Sequence, residues 1–379
     1  MREAASPANS GVIYALVFLV LALTILSDAK GLPSYLSPIN VSNVFDQVAL
    51  VGMLAVFTTV VLISGNFDIS IAAIGGLGAA ITLLLVDELG VAGAVLAAIA
   101  ATSAVGMFNG FCVQKLGINA FIVTLGTLTA VRGLILVITD GRTVIADDPA
   151  NYKRLESFVD GFVPAPALVG LIGIALIAVS AVQYLLTRRY QGQVGQNRLL
   201  LAASGAVVLL VGLSGFPPVR LTYSTLYLFG LVGTVWIVLR YTIVGRRLQA
   251  VGGNPEAARL SGISVDRYRI VPSVLNGSVA GLVGVIYSAR LGAVDPSALH
   301  GFELTAIAAA ILGGTSLFGG HGSVPKAILG ALILIVLRNG FNMLNLGSNY
   351  QQLVEGIVIV AAAAVYVIAA QSASQGGRH

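Results

Sequence analysis

Charged residues are scarce in this chain: 10% of its 379 residues, against roughly 25% in an ordinary soluble domain. A soluble fold of this length would need a polar surface, and too few polar residues are present to build one. Cysteine occurs once, as Cys112, which excludes an internal disulfide and a cysteine-rich metal site. It falls in an apolar segment and reads as a small buried residue. Histidine occurs three times (His300, His321, His379), too scattered for a metal cluster. Gly-Lys-Ser/Thr occurs nowhere, so the glycine-rich stretches Gly313-Gly314-Thr315-Ser316 and Gly319-Gly320-His321-Gly322 cannot serve as a Walker A phosphate loop. They suit sharp backbone turns or close helix packing, with His321 as a loop residue. No clustered acid, base or metal constellation suggests an enzyme.

What is present is apolar: 57% of residues, with a mean hydropathy of +0.93. The apolar residues come in blocks of about 20, the length that spans a bilayer. Twelve segments are expected, near 12–27, 48–64, 67–86, 91–113, 119–139, 165–187, 199–213, 225–244, 270–289, 302–320, 325–344 and 353–370. The fold class is therefore all-α, a polytopic transmembrane protein forming one domain over 1–379. The segments at 67–86 and 302–320 are rich in Gly and Ser, so either can be broken or re-entrant where protein or water satisfies the backbone. The 45 glycines suit helices that approach closely. Ser27-Asp28-Ala29 loosely resembles a signal cleavage site, but Arg2 is offset by Glu3 and the first segment is expected to be retained.

Charge sets the expected orientation. The net charge of +5 reflects Lys and Arg gathered on the cytoplasmic side rather than nucleic-acid binding. Loop 188–198 holds Arg188, Arg189 and Arg198, and loop 245–269 holds Arg246, Arg247, Arg259, Arg267 and Arg269. Loop 140–164 leans acidic, with Asp140, Asp147, Asp148, Glu156 and Asp160. Twelve crossings put the two basic loops and both termini in the cytoplasm and the acidic loop outside. Residues 109–126 also align without gaps on 339–356, pairing Asn109, Gly110, Phe111, Leu116, Gly117, Asn119 and Gly126 with Asn339, Gly340, Phe341, Leu346, Gly347, Asn349 and Gly356. Transporters are often built from repeated halves, and the orientation above makes this repeat an inverted one.

Within the cytoplasmic loop 245–269, Pro255 to Gly262 reads as a short capped helix. Asn254 suits the N-cap, Pro255 the first turn, Glu256 the positive helix end and Gly262 a left-handed stop. Such a helix is either a handle for a partner's groove or an ordinary loop helix.

Glu256-Ala257-Ala258, three residues, then Gly262 resembles the EAA signature of ATP-binding-cassette (ABC) importer permeases. Residues 250–263 (AVGGNPEAARLSGI), 302–324 (FELTAIAAAILGGTSLFGGHGSV) and 66–70 (NFDIS) are similar to the ribose and xylose permeases of ABC sugar importers. The longer stretch between 188 and 224 resembles the xylose-type layout. Asn66 and Ala72 stand where that family usually carries glycine. The resemblance implies a non-catalytic permease subunit in a bacterial inner membrane that imports a monosaccharide, with a pentose such as xylose favoured. It implies a second copy of this chain, an ATPase that holds ATP and Mg, and an extracytoplasmic sugar-binding protein. It assigns Asn254, Glu256, Ala257, Ala258, Arg259 and Gly262 to the contact with the ATPase.

A sugar path needs amides, hydroxyls and aromatic faces. Asn109, Asn119, Asn276, Thr315, Ser316, Asn339 and Asn342 are the intramembrane candidates, and each can equally be a helix–helix hydrogen bond. Asp68 is either the N-cap of the following helix, the preferred reading, or a pathway or scaffold acid, with Ser70 in the first turn. Glu303 and Asp295 read as exposed loop charges on the outer side. A branched-chain amino-acid permease is an alternative. An ion-coupled transporter would need more buried acids than Asp68 and Glu355.

Overall fold

The computed structural model describes residues 7–159, 161–172 and 219–347 continuously, with further positions within 174–181, 206–214 and 350–360. Its helices are α1 (Pro7–Ala29), α2 (Pro38–Ile63), α3 (Ile71–Lys115), α4 (Ala120–Ile138), α5 (Pro149–Glu156), α6 (Tyr223–Tyr241), α7 (Ile243–Gly253), α8 (Pro255–Leu260), α9 (Val265–Leu291), α10 (Phe302–Leu312) and α11 (Val324–Met343). Among the described residues, α1 to α4, α6, α9 and α11 are long and apolar enough to cross a membrane. Most of the expected segments at 199–213 and 353–370, the end of 165–187 and the whole basic loop 188–198 lie outside the described residues, as does Glu355.

Helix α3 supplies two crossings. Its 45 residues would reach about 68 Å if straight, twice the core of a bilayer. The chain doubles back at Gly90, whose φ of 66° and ψ of 172° fall in a region open essentially to glycine alone. The reversal brings the ends of the two arms together: Asn109 Nδ2 donates to Ser70 Oγ at 2.9 Å. The arms, 71–89 and 91–115, match the expected segments at 67–86 and 91–113.

Helix α9 packs against both arms through small residues. A Cβ added at Gly284 would lie 2.2 Å from the Gly75 carbonyl oxygen, on the first arm. One added at Gly277 would lie 2.3 Å from the Thr102 carbonyl oxygen, and one at Gly106 2.3 Å from that of Ser273. In lipid there is no hydrophobic drive between helices, so such close backbone packing carries the association. Helix α2 is the most enclosed of the spans, which accounts for its apolar composition on every side. It begins at Pro38, ten residues before the expected start. Its first turns carry Asn40, Ser42, Asn43, Asp46 and Gln47, a polar stretch that resembles a loop in sequence.

The 302–320 segment is broken, as expected. Helix α10 has 11 residues, about 16 Å or half a bilayer core, and glycine-rich turns continue from Gly313. The 67–86 segment is helical without a break only from Ile71; irregular backbone between Ser64 and Ser70 takes up its first four residues. Helix α11 returns over α10, where a Cβ at Gly330 would meet the Ala309 carbonyl oxygen at 2.2 Å. It also contacts α1, where Leu23 sits on Gly340.

The ends of the bundle differ in charge. Strands β1 (Val144–Ile145), β2 (Phe162–Pro164), β3 (Arg220–Thr222) and β4 (Ala293–Val294) form two short antiparallel pairs, β1 with β4 and β2 with β3. With α5 they give structure to the acidic segment 140–164, which was expected to be a plain loop. Asp87, at the turn of α3, accepts from the Asp147 backbone N–H at 2.7 Å. At the opposite end Lys115 pairs with Asp266, and Arg269 Nε donates to the Ser64 carbonyl at 3.3 Å. The basic residues of α7, α8 and the first turns of α9 and the acidic residues of 140–156 thus occupy opposite ends, although Arg290 at the far end of α9 pairs with Asp46. Asn109 lies toward the basic end and Asn339, bonded to Asn40 at the start of α2, toward the acidic end. The two helices that carry the repeat therefore run in opposite directions.

Candidate functional site

Helix α8 has the caps its sequence predicts. Asn254 ends α7 and its side chain accepts from the Ala257 backbone N–H at 3.0 Å. Gly262 stands at φ 77°; its N–H donates to the Arg259 carbonyl and that of Ile263 to the Ala258 carbonyl, both at 3.0 Å. That pair of bonds is the Schellman termination. Ala258 faces inward against Val251 and Val265, with Ile263 beside them. Glu256, Ala257 and Arg259 face outward, and Leu260 is 86% exposed. The helix is thus fixed at both ends and presents an acid, a base and one large apolar side chain outward.

Behind this helix, three stretches of backbone meet with no side chains between them. The Gly320 N–H donates to the Ile63 carbonyl at 3.0 Å. A Cβ on Gly252 would fall 1.8 Å from that carbonyl oxygen and 2.7 Å from the Gly320 nitrogen. One on Gly319, at φ 87°, would fall 2.8 Å from the Gly65 Cα. The last residues of α7 are thus seated on the end of α2 and on the turn between α10 and α11.

Deeper in the bundle lies a continuous polar chain. Thr127 Oγ1 donates to Asn109 Oδ1 (2.6 Å), Asn109 Nδ2 to Ser70 Oγ (2.9 Å), and Ser70 Oγ and N–H to Asp68 Oδ1 (2.6 and 2.8 Å). Asn276 Nδ2 donates to Asp68 Oδ2 at 3.0 Å. All five residues are buried. By residue count they lie about 9–16 Å inside the ends of α3, α4 and α9, at membrane depth. Irregular backbone at that depth is tolerable only where protein satisfies it. The chain ties the 64–70 stretch to α3, α4 and α9.

Toward the acidic end, α2 and α11 border an open surface hollow of about 500 Å³, lined by Asn40, Asn43, Asn339 and Asn342 with Pro33, Ser37, Ile39 and Met343. Tyr35 fastens its edge by donating to the Val336 carbonyl at 3.1 Å. Asn40 Nδ2 donates to the Tyr35 carbonyl (2.8 Å), and Asn339 Nδ2 to Asn40 Oδ1 (3.1 Å). The buried Asn339 Oδ1 has no partner among the described residues. Four uncharged amides around one space suit a neutral ligand rich in hydroxyls.

Comparison with known proteins decides the family. The family described as "Branched-chain amino acid transport system / permease component" matches residues 40–363. The xylose transport system permease protein of Escherichia coli (strain K12) is 35% identical over 92% of this chain and 89% of its own length. That of Haemophilus influenzae is 33% identical over 87% and 89%. The ribose import permease protein of Bacillus subtilis (strain 168) is 32% identical over 93% and 90%. No solved structure matches the chain. The chain belongs to this family of transport permeases.

Within this permease the predicted path residues separate into groups. Asp68, Ser70, Asn109 and Asn276 come together in the buried chain. Asp68 is not the N-cap of α3; that position is Ser70, and Asp68 holds it from two residues upstream. Asn119 stands apart, capping α4 through the Phe121 N–H at 2.9 Å. Thr315 and Ser316 belong to the turn after α10, where Ser316 Oγ accepts from the Phe318 N–H. Asn339 and Asn342 line the amide-rich space. Asn66 uses its amide on the Arg269 carbonyl, at 3.4 Å.

Glu303 is not an exposed loop charge: it is buried at the start of α10 and accepts from the Gly301 N–H. Asp295 is exposed, and hydrogen bonds from Ser297 hold its carboxyl below the usual range. Sequence reading missed Thr127, the Gly65–Gly252–Gly319–Gly320 seat, and Asn40 and Asn43. The asparagines were visible as amides in a stretch taken for a loop. Gly319 and Gly320 stood in a stretch read as a turn or close packing, but their partners, more than 60 residues away, carried no signal.

Proposed function

We propose that this permease carries a monosaccharide, a pentose such as xylose favoured, into the cell as the non-catalytic membrane subunit of an ABC importer. The observation that carries this is the near full-length similarity to permeases named for xylose and ribose. The family description also covers branched-chain amino-acid systems, which keeps such a solute as the second reading.

The importer needs an ATPase, which holds ATP and Mg, and an extracytoplasmic sugar-binding protein. In our reading the ATPase grips α8, through Glu256, Arg259 and Leu260, while Asn254, Ala258 and Gly262 hold its shape. The basic end is then cytoplasmic, as the distribution of Lys and Arg supports, and both termini lie on that side. Two copies of the chain form the working pair. Glu256→Arg tests the contact: the variant should insert normally, while ATPase recovered with it falls at least about tenfold, since a surface complementary to Glu256 would then face a like charge, and like charges at an interface cost several kcal/mol. Sugar uptake by the chain alone, in vesicles without ATP, would overturn the reading.

The amide-rich space is the part of the structure best suited to meet sugar. Each neutral hydrogen bond contributes about 0.5–1.5 kcal/mol. Asn43→Ala and Asn342→Ala should therefore each raise the sugar concentration for half-maximal uptake roughly three- to tenfold. Unchanged uptake curves in both variants would remove this space from the path.

A further inference from the structure

At the basic end a second concave space, about 640 Å³, lies between α2, α6, α7 and α9. Its walls are apolar, including Phe57, Leu231, Val235, Val271 and Leu275. Its mouth carries Arg247 and Arg267, both exposed. Among the described residues neither arginine has a salt-bridge partner. The acid beside them in sequence, Asp266, is taken by Lys115 and Gln114.

The depth of this slot is informative. Leu231 lies ten residues along α6 from Tyr241, and Leu275 ten residues along α9 from Val265. At 1.5 Å per residue, both are about 15 Å inside the helix ends, half of a bilayer core of about 30 Å. The slot thus runs from the level of the headgroups to the midplane, the depth of one leaflet. Its wall is apolar where acyl chains lie, and its two cations stand where phosphates lie.

We propose that this slot holds one anionic phospholipid, its phosphate between Arg247 and Arg267 and an acyl chain along α6 and α9. Guanidinium groups suit phosphate through their planar array of donors. Basic pockets between membrane helices on the cytoplasmic side bind anionic headgroups in this way. Gly262, Ile263 and Ser264 line the same space, so the lipid braces the segment that joins α8 to α9. This inference depends on the chain crossing a membrane and not on which solute it carries.

Native mass spectrometry of the purified full-length chain tests it, with phosphatidylglycerol and phosphatidylcholine of matched acyl chains. The wild type should retain phosphatidylglycerol in preference to phosphatidylcholine. Arg247→Gln with Arg267→Gln should weaken phosphatidylglycerol retention roughly 30-fold, given about 1 kcal/mol per surface arginine. Val271→Trp, at a position 52% exposed, should block the slot while leaving both arginines in place. Chainless glycerophosphoglycerol should not displace the lipid. Equal retention of the two lipids, or full retention by the arginine double variant, would overturn the proposal. Displacement by the chainless headgroup would reduce the site to an anion site. A cross-link between two copies through Val271→Cys, unaffected by added lipid, would make the slot an interface between copies.

Discussion

Replacing Gly252 with valine is expected to cut sugar uptake more than about a hundredfold while leaving the chain in the membrane. The new Cβ would lie 1.8 Å from the Ile63 carbonyl oxygen and 2.7 Å from the Gly320 nitrogen. Both are backbone atoms, so no side chain can rotate away. Overpacking of this kind costs about 1–3 kcal/mol even in ordinary cores, and 3 kcal/mol is roughly a hundredfold in an equilibrium. The helix ends must separate, and with them the seat of α7 on α2 and on the turn after α10. The ATPase would still find α8, because its outward face is untouched. Co-purification of the ATPase should therefore remain near normal while uptake is lost, the reverse of the priority expected for Glu256→Arg. Wild-type uptake by the Gly252 variant would mean that this backbone contact does not transmit motion.

Asp68→Leu should produce the second large effect, this time on the stability of the folded protein. The substitution leaves the Ser70 N–H and the Asn276 amide without an acceptor. Each orphaned buried donor costs about 1–3 kcal/mol, and the Ser70 hydroxyl loses its acceptor as well. Set against a total stability of about 5–15 kcal/mol, that loss should lower the thermal midpoint of the detergent-purified protein sharply. Asp68→Asn keeps an acceptor for Ser70 but turns one amide donor toward another. Combining it with Asn276→Asp restores a donor facing an acceptor and should recover part of the loss. The recovery is incomplete because the second carboxylate oxygen of the new acid would take the place of Asn276 Oδ1, which is buried with no partner among the described residues. A midpoint unchanged by Asp68→Leu would show that the buried chain does not hold the 64–70 stretch.

The course of the helices was legible where one physical rule dominates. Apolar blocks gave α3, α4, α6, α9 and α11, and side-chain chemistry gave α8 with both its caps. The start of α2 was not legible, since Asn40, Asn43 and Asp46 look like a loop until neighbouring segments supply their partners. Of the candidate site, Asp68, Ser70, Asn109 and Asn276 could be named from their polarity at membrane depth. That they touch one another could not, because Asp68 and Asn276 are 208 residues apart. The glycine seat was the least legible feature of all. Its content is the absence of side chains, and a glycine-rich chain supplies such absences everywhere. For Thr127 the difficulty was similar, since a hydroxyl in an apolar helix ordinarily bonds its own backbone.

Helix α2 touches both ends of the problem. Its first turns present Asn40 and Asn43 to the amide-rich space, and its last carbonyl, that of Ile63, takes the Gly320 N–H beside Gly252. The whole helix is 26 residues, about 39 Å without a break. Such a helix is a lever: a tilt of about ten degrees at one end moves the other by about 7 Å, more than one helical turn. Displacement of α7 at the basic end would reach the amide-rich space through one rigid body, with no chain of intermediate contacts to relay it.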